Sequence, residues 1–144
     1  MAVVIERAHL GDADAIAALL EANHLPLAGF SDHMRTAVVA RHDGELIGSA
    51  ALEVYDDGAL LRSVAVSPTH QREGIGAQLT AAAIQLAQEL KVPALYLLTT
   101  TAAGYFPKFG FEPIARSDVP PLVQTSIEFT LACPASAAVL RKRL

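Results

Sequence analysis

Residues 62–90 read RSVAVSPTHQREGIGAQLTAAAIQLAQEL and carry the strongest structural signals in the chain. Residues 62–66 form a mostly apolar, β-branched run, which is typical of a buried strand. Pro68 interrupts that run. Between Ile75 and Leu90, apolar residues recur at steps of three and four, which predicts a helix with one apolar face. The stretch therefore predicts a strand, a turn over residues 71–77, and a helix.

The turn QREGIGA has the chemistry of a pyrophosphate site. The first N–H groups of a helix lack internal partners, and the helix dipole is positive at that end. Gly74 and Gly76 carry no Cβ, so a phosphate can approach the backbone, and Arg72 adds a planar charged donor. Leu79 stands where a dinucleotide fingerprint has its third glycine. A plain strand-to-helix turn therefore stays open as an alternative.

The remaining pattern predicts a chain of alternating strands and helices. The predicted elements, in order, are strand 3–5, helix 13–22, strands 36–40, 45–55 and 62–66, helix 75–90, strand 94–98, a short helix over 102–106, a strand after 109–111, a last strand over 126–131, and a short helix over 135–143. Asp12 is expected to cap the first helix, and Pro107 to end the short one. The Asp43-Gly44 hairpin predicts an antiparallel meander. The long helix between strands 62–66 and 94–98 predicts that these two are parallel.

Composition excludes several classes of protein. The chain has 144 residues, of which 52% are hydrophobic, enough for one domain spanning 1–144 with a packed core. The net charge is −4, and no basic cluster precedes residues 141–143, so a nucleic-acid partner is not expected. Those basic residues are interpreted as the end of the last helix, where cations are favourable.

Cysteine and histidine usage predicts a protein without a disulfide or a metal. Cys133 is the single cysteine, and it is interpreted as a small core residue rather than a nucleophile. The five histidines show no metal-ligand spacing. The sequence contains no signal peptide and no apolar run of transmembrane length, so a cytoplasmic protein without a membrane partner is expected.

Taken together, the string around the turn resembles a known family signature. Val64-x-Val66, then Pro68, then Gln71-x-x-Gly74-x-Gly76 and a long helix resemble the acetyl-CoA signature of the Gcn5-related N-acetyltransferases, the GNAT family. Phe109-Gly110-Phe111 matches the family's later motif. The resemblance implies an α/β (α+β) fold with a single domain. Its sheet would be mixed and mostly antiparallel, with two central parallel strands that splay apart, flanked by helices.

The same resemblance implies acetyl-CoA as co-substrate. Its pantetheine arm would lie along the signature strand, and its pyrophosphate would sit on the turn. The expected cofactor-binding residues are Val64, Ala65, Val66, Gln71, Arg72, Glu73, Gly74, Ile75, Gly76 and Ala77. The Val66 N–H would also be the oxyanion donor. A preorganised donor of this kind typically contributes ~10²–10³ in rate.

A narrower resemblance concerns the acceptor. Residues 97–102, 126–129 and 133–137 are similar to short acetyltransferases associated with arsenic resistance and to the acetyltransferase domain of N-acetylglutamate synthases. Both imply an acceptor that is an α-amino acid or a mimic of one, such as arsinothricin, phosphinothricin or a glutamate-like compound. Detoxification and arsenic resistance would follow from the first two acceptors.

The catalytic side chains are less well defined. Glu53 is the candidate base, acting through water, and its alternative role is that of a salt-bridged strand residue. Many family members carry a tyrosine where this chain has Phe106. The adjacent Tyr105 is the candidate general acid, although one residue on a helix rotates a side chain by about 100°. The alternative is that the thiolate leaves and is protonated by water.

Three residues are expected to meet the acceptor: Phe30, Arg62 and Thr99. Arg62 could grip a substrate carboxylate in a fork, and its alternative is an internal ion pair with Glu53 or Glu128. Phe30 lies in an apolar loop that either covers the substrate or caps the core. The sequence leaves a homodimer open.

The leading interpretation is an N-acetyltransferase acting on a small amino-acid-like amine. A second is acetylation of a protein N-terminus or of an aminoglycoside-type drug. A third is a regulator that binds acyl-CoA without turnover, which the phenylalanine at position 106 keeps open.

Overall fold

A computed structural model of the chain describes residues 3–100, 102–132 and 136–144. Its strands form one seven-stranded sheet with the order β1-β2-β3-β4-β5-β7-β6. The strands are β1 (Val3–Arg7), β2 (Ala37–His42), β3 (Glu45–Tyr55), β4 (Gly58–Val66), β5 (Ala94–Thr99), β6 (Glu112–Ile114) and β7 (Ala138–Arg143). Every neighbouring pair is antiparallel except β4 and β5, so the expected mixed, mostly antiparallel sheet is confirmed.

Among the described residues, two α-helices flank the sheet, α1 (Ala13–Ala22) and α2 (Ile75–Glu89). Short 3₁₀ turns cover Leu10–Asp12, Phe30–Thr36, Pro68–His70, Phe106–Phe109, Arg116–Asp118 and Val123–Thr125, and a π-helical segment covers Glu128–Ala132. In the described part of the chain, no helix has both the length and the apolar character needed to cross a membrane.

The two helices pack on opposite faces of the sheet. Buried α2 residues, including Leu79 and Ala83, share one cluster with Val38 and Ala40 of β2. Buried α1 residues share another cluster with Val39, which lies between those two β2 residues. Because successive strand side chains point to opposite faces, the alternation along β2 assigns one helix to each face.

The hairpin between β2 and β3 follows from its turn residues. Asp43 and Gly44 adopt φ angles of +52° and +81°. Two consecutive positive φ angles match the twist of a tight hairpin, and Asp-Gly is a favoured pair for it. The predicted antiparallel meander of β2, β3 and β4 is confirmed.

The parallel strands β4 and β5 separate soon after they meet. Their ladder consists of Ala59 opposite Leu95 and Leu60 opposite Tyr96. From there β4 continues along β3 to Val66, whereas β5 stays paired with β7 as far as Thr99. The predicted splayed pair is therefore confirmed.

The C-terminal predictions are wrong in two places. Residues 126–131 were expected to be a strand, but Glu128–Ala132 is π-helical. Residues 135–143 were expected to be a helix, but Ala138–Arg143 is β7, which pairs with β5 on one side and β6 on the other. Residues 138–143 have only a weak local preference for helix. Hydrogen bonding to both β5 and β6 outweighs that preference. Cys133 and the residues just after it lie outside the described residues.

The basic C-terminal residues consequently belong to a strand and not to a helix end. Arg141 lies opposite both Tyr96 on β5 and Glu112 on β6. Its guanidinium Nη2 is 3.6 Å from the Glu112 carboxylate.

Two local expectations also need correction. Pro107 does not end a helix, because it occupies the first turn of the 3₁₀ segment, where the N–H it lacks is not needed. Asp12 does not cap α1 with its side chain. Its carboxylate accepts the His9 N–H at 2.8 Å and an Arg41 N–H at 2.7 Å. The hydrogen bond from Arg41 holds the pKa of Asp12 below its usual value.

Gly48 on β3 allows α2 to approach the sheet. A Cβ at Gly48 would lie 2.7 Å from Leu79 Cδ1 and 3.3 Å from the carbonyl oxygen of Ala65. We expect Gly48→Ala to lower the free energy of unfolding by about 1–3 kcal/mol, because the added Cβ would overpack the space between β3 and α2. Urea unfolding measures this change. Gly11→Ala is the matched control, since a Cβ there would meet nothing within 4 Å, and equal losses in the two variants would contradict the prediction.

Candidate active site

The divergence of β4 and β5 opens a groove of about 670 Å³ across the carboxyl half of both strands. Residues 61–66 of β4 form one side, and residues 97–100, at the end of β5, form the other. The loop residues 23–26 after α1 also line the groove. Gly76 at the start of α2 contributes to the lining, together with Tyr105 and Phe106.

A bulge in β4 shapes the groove. The register of β3 against β4 shifts between Ser49 and Ala51, so β4 carries one extra residue there. Ser63 adopts a φ of +58°, a conformation that costs free energy in a residue other than glycine. Ser49 Oγ donates to the Ser63 carbonyl at 2.7 Å, and Arg62 Nε donates to Ser63 Oγ at 3.1 Å. These two hydrogen bonds hold the bulge.

The backbone of Val66 is directed into the groove. The Ser67 N–H donates to the Ile47 carbonyl at 2.7 Å, which places that pair in the ladder with β3. Antiparallel alternation then turns the N–H and C=O of Val66 away from β3. The Val66 carbonyl accepts from Asn23 Nδ2 at 3.2 Å and Gln71 Nε2 at 3.1 Å. No sequence pattern pointed to Asn23, because its contact depends on where α1 ends.

The turn before α2 is exposed, and the helix that follows begins with main-chain amides that have no partner within the helix. Arg72 and Gly74 adopt φ angles of +68° and +81°, and residues 71–74 are exposed. The first helical hydrogen bond of α2 runs from the Gln78 N–H to the Gly74 carbonyl at 3.1 Å. The N–H groups at positions 75–77 precede that bond and have no partner within the helix. A Cβ on Gly74 would meet nothing within 4 Å, so the turn is open above this residue.

Tyr105 approaches the same turn. A Cβ on Gly76 would lie 3.4 Å from the Tyr105 hydroxyl oxygen and 3.7 Å from Val66 Cγ2. Burial raises the pKa of the Tyr105 phenol. Lys108 Nζ lies 4.0 Å from the centre of the Tyr105 ring. Phe106 also borders the groove, but it is only 7% exposed and belongs to the α2-side core.

The Arg62 guanidinium lines the groove, and it contacts three other segments of the chain through hydrogen bonds and ion pairs. Its Nη1 donates to Glu53 Oε2 at 2.8 Å, and its Nη2 donates to the Pro26 carbonyl at 3.3 Å. The same Nη2 is 3.4 Å from Glu128 Oε2. Its side chain is 0% exposed. The predicted internal pairing is present with both glutamates, and it joins β4 to the loop after α1 and to the π-helical segment.

Glu53 lies beneath Arg62 and does not line the groove. Burial raises its pKa, but hydrogen bonds from Ser126, Tyr55 and Arg62 outweigh burial and leave the pKa below its usual value. The Tyr55 hydroxyl donates to Glu53 Oε1 at 2.6 Å. Burial and this hydrogen bond raise the pKa of Tyr55 to about 12.

Glu128, unlike Glu53, places its carboxylate-bearing residue in the lining of the groove. The sequence suggested it only as a partner for Arg62, because its position at the groove depends on the π-helical segment. The residue is 5% exposed, and its N–H donates to Ser126 Oγ at 3.1 Å. Ile127 beside it lies against the loop after α1, because a Cβ on Gly29 would fall 2.7 Å from Ile127 Cγ2. Glu128 is thus held between two well-packed segments.

The structure brings most, but not all, of the predicted residues together. Those that line the groove are Arg62, Val64, Ala65, Val66, Gln71, Gly76, Thr99 and Tyr105. Arg72, Glu73, Gly74, Ile75 and Ala77 belong to the adjoining turn and the first turn of α2. Phe30 packs in the α1-side core away from the groove. Thr99 Oγ1 accepts the Ala102 N–H at 2.9 Å.

The sequence pattern of the acetyltransferase (GNAT) domain matches residues 33–113. That span is more than half of the chain and covers β2 through most of β6, including the groove and the turn. The chain therefore belongs to the GNAT acetyltransferase family.

Two relatives of known sequence are acetyltransferases similar to this chain. An amino-acid acetyltransferase from Neisseria meningitidis is 31% identical over 127 residues, covering 82% of this chain and 29% of that protein. An uncharacterized N-acetyltransferase from Chlorobaculum tepidum is 28% identical over 124 residues, covering 81% of this chain and 79% of that protein. The chain thus spans less than a third of the Neisseria protein.

Solved structures show the same fold. N-acetylglutamate synthase from Neisseria gonorrhoeae, complexed with coenzyme A and N-acetyl-glutamate, matches with a TM-score of 0.85 and 29% identity, covering 100% of this chain and 35% of that one. A Mycobacterium tuberculosis protein in complex with CoA matches with a TM-score of 0.83 and 25% identity, covering 98% of this chain and 99% of that one. The predicted likeness to N-acetylglutamate synthases is confirmed.

The Tyr55–Glu53 hydrogen bond predicts a stability change at high pH. A tyrosine in the unfolded chain ionises near pH 10, whereas folded Tyr55 ionises at about 12. Its neutral form therefore stabilises the fold below pH 10, and this contribution is lost as the pH rises towards 12. We expect wild type to lose more stability than Tyr55→Phe between pH 9.5 and 11.5 in urea unfolding. Parallel losses in the two proteins would contradict this.

Proposed function

We propose that the chain transfers an acetyl group from acetyl-CoA to the amine of a small amino-acid-like acceptor. The observation that carries this proposal is that the groove between β4 and β5 reaches Gly76, at the start of α2, where the first amides lack partners within the helix. In acetyl-CoA, a long arm joins the thioester to the diphosphate. The groove offers a channel for the arm and its thioester, and the start of α2 offers N–H donors for the diphosphate. Coenzyme A in the related structures supports the same assignment.

In the proposed complex, the pantetheine arm lies along β4 at Val64, Ala65 and Val66. Beyond it, the diphosphate rests on the turn formed by residues 71–77. The N–H groups at positions 75–77 and the helix dipole favour its negative charge. Arg72 contributes a charged donor at the exposed rim of the turn.

The proposed reaction is direct attack. The lone pair of a neutral acceptor amine forms the C–N bond at the thioester carbonyl carbon, and the carbonyl oxygen becomes an oxyanion. The Val66 N–H, directed into the groove, stabilises that oxyanion. Collapse of the intermediate breaks the C–S bond, and the amine proton passes to water. Tyr105 or water then protonates the departing thiolate.

The base requirement is modest for such an acceptor. An α-amine with a pKa of about 8 costs only ~1.4 kcal/mol to neutralise at pH 7. Glu53, the predicted base, has a lowered pKa and lies under Arg62, so it is poorly suited to accept a proton. We assign Glu53 to holding Arg62 in place and proton removal to water in the groove.

Thioester cleavage assayed over a panel of amines tests the proposal. The panel contains α-amino acids, arsinothricin, phosphinothricin, an N-terminal peptide and an aminoglycoside. Turnover of amino acids or their mimics supports the proposal. Turnover confined to the peptide or the aminoglycoside contradicts it, and acetyl-CoA binding without turnover indicates a regulator. Growth of expressing cells on arsinothricin or phosphinothricin, beside a vector control, tests a role in detoxification.

The coenzyme assignment has a separate test at Gly76. A β-branched side chain there would enter the space between Tyr105 and Val66 and block the turn. We expect Gly76→Val to weaken acetyl-CoA binding at least tenfold, or about 1.4 kcal/mol, in calorimetry.

Ala81→Val is the matched control for Gly76→Val, because Ala81 is exposed and lies farther along the same helix. The control should bind acetyl-CoA like wild type. Equal binding by both variants would place the diphosphate elsewhere.

A further inference from the structure

Both α-helices end with a residue in the left-handed conformation that glycine usually takes. His24 follows α1 with a φ of +57°, and Lys91 follows α2 with a φ of +60°. At the end of α1, the His24 N–H donates to the Glu21 carbonyl at 3.1 Å, and the Leu25 N–H donates to the Leu20 carbonyl at 3.0 Å. Glycine is the usual residue in this helix-ending motif because it has no Cβ. Other residues in this conformation cost free energy and are often found at functional sites.

His24 lines the groove. The loop around it is fixed to β4 on both sides. Asn23 Nδ2 donates to the Val66 carbonyl at 3.2 Å, and the Pro26 carbonyl accepts from Arg62 at 3.3 Å. The loop therefore holds His24 beside the strand whose Val66 N–H is the proposed oxyanion donor. His24 is exposed, so a proton that reaches its imidazole can pass on to solvent.

The groove lining has few other groups that can take a proton at neutral pH. Among the described residues, its remaining titratable side chains are Arg62, Tyr105 and Glu128. An arginine stays protonated, and burial raises the pKa of the Tyr105 phenol, which is therefore protonated as well. Glu128 contacts Arg62, and a guanidinium favours the ionised form of a carboxylate, which makes it a poor proton acceptor. Imidazole, by contrast, ordinarily gains and loses a proton near neutral pH.

On the basis of the proposed acetyl transfer, we propose that His24 is the general base for the acceptor amine, acting through a water molecule in the groove. The acceptor arrives as an ammonium. It gives one proton to that water, while the water gives one of its own to the His24 imidazole, which becomes an imidazolium. The neutral amine then forms the C–N bond at the thioester carbon, and the imidazolium returns its proton to solvent. His24 thus supplies the basicity that water lacks.

The pH dependence of wild type and His24→Gly tests this role. With the amino acid of the panel that wild type acetylates fastest, we expect His24→Gly to lower kcat/KM at least tenfold at pH 7, a modest effect for general base catalysis. At pH 9.5, an α-amine with a pKa of about 8 is already mostly neutral, so the ratio of the two proteins should fall towards one. The charged side chains of the adjoining segments are exposed and the same in both proteins: Glu21, Arg72 and Glu73.

Two further measurements separate a lost base from a lost shape. His24→Gly leaves room beside β4, so imidazole added to the buffer should raise its kcat/KM at pH 7 and leave that of wild type unchanged. Asparagine tolerates the left-handed conformation and forms hydrogen bonds, but it accepts no proton at neutral pH. His24→Asn should therefore be as slow as His24→Gly.

Lys91→Gly is the matched control, because Lys91 has the same position at the end of α2 and lies outside the groove lining. Its N–H donates to the Gln88 carbonyl at 3.0 Å, and the Val92 N–H donates to the Ala87 carbonyl at 3.1 Å. Both glycine variants should unfold at a urea concentration no lower than wild type, because glycine suits this conformation. Lys91→Gly should keep full activity, whereas His24→Gly should not. Calorimetry should give the same Kd for acetyl-CoA in all three proteins.

A loss of activity in His24→Gly that is the same at pH 7 and pH 9.5 overturns the assignment of His24. Full activity in His24→Gly or His24→Asn overturns it as well. These results leave acetyl transfer standing, provided that wild type binds acetyl-CoA and acetylates an amino acid. A wild type that acetylates no amine of the panel overturns the proposed function and this inference together.

Discussion

The structure depends on the place where β4 and β5 stop pairing. Backbone N–H and C=O groups in a sheet interior normally find partners in the next strand. After Leu60 and Tyr96, β4 keeps its partner on the β3 side and loses the one on the β5 side. The polar edge of β4 that results lies within the groove and can receive an extended ligand as a substitute strand. The same edge carries the Val66 N–H into the groove.

Several side chains maintain that separation. The bulge at Ser63 lengthens β4, and Ser49 and Arg62 hold its strained residue by hydrogen bonds. Arg62 also reaches Glu53 on β3, the loop after α1 and the π-helical segment. A buried arginine with several partners is costly to disrupt, because removing it leaves uncompensated carboxylates. One residue therefore links the shape of the strand to two other segments that line the groove.

Membership of the GNAT family explains some parts of the groove and leaves others unexplained. The family accounts for the splayed strands and for the turn at the start of α2, which together suit acetyl-CoA. Other parts of the groove come from less regular segments: a loop containing Pro26 and a short π-helical stretch. These segments contribute the Pro26 carbonyl and Glu128, which both contact Arg62.

Local sequence signals were enough to predict the two long helices, one hairpin and the turn before α2. Periodicity placed α1 and α2, Asp43-Gly44 placed the hairpin, and Gly74 and Gly76 marked the turn, because each of these signals depends on neighbouring residues alone. The strand at residues 138–143 could not be predicted in this way, since the open ladders of β5 and β6 are distant in sequence. The tertiary structure also decided that Arg62 joins both glutamates and that Glu128 borders the groove. Those contacts bring together segments dozens of residues apart, and no local pattern encodes their distance.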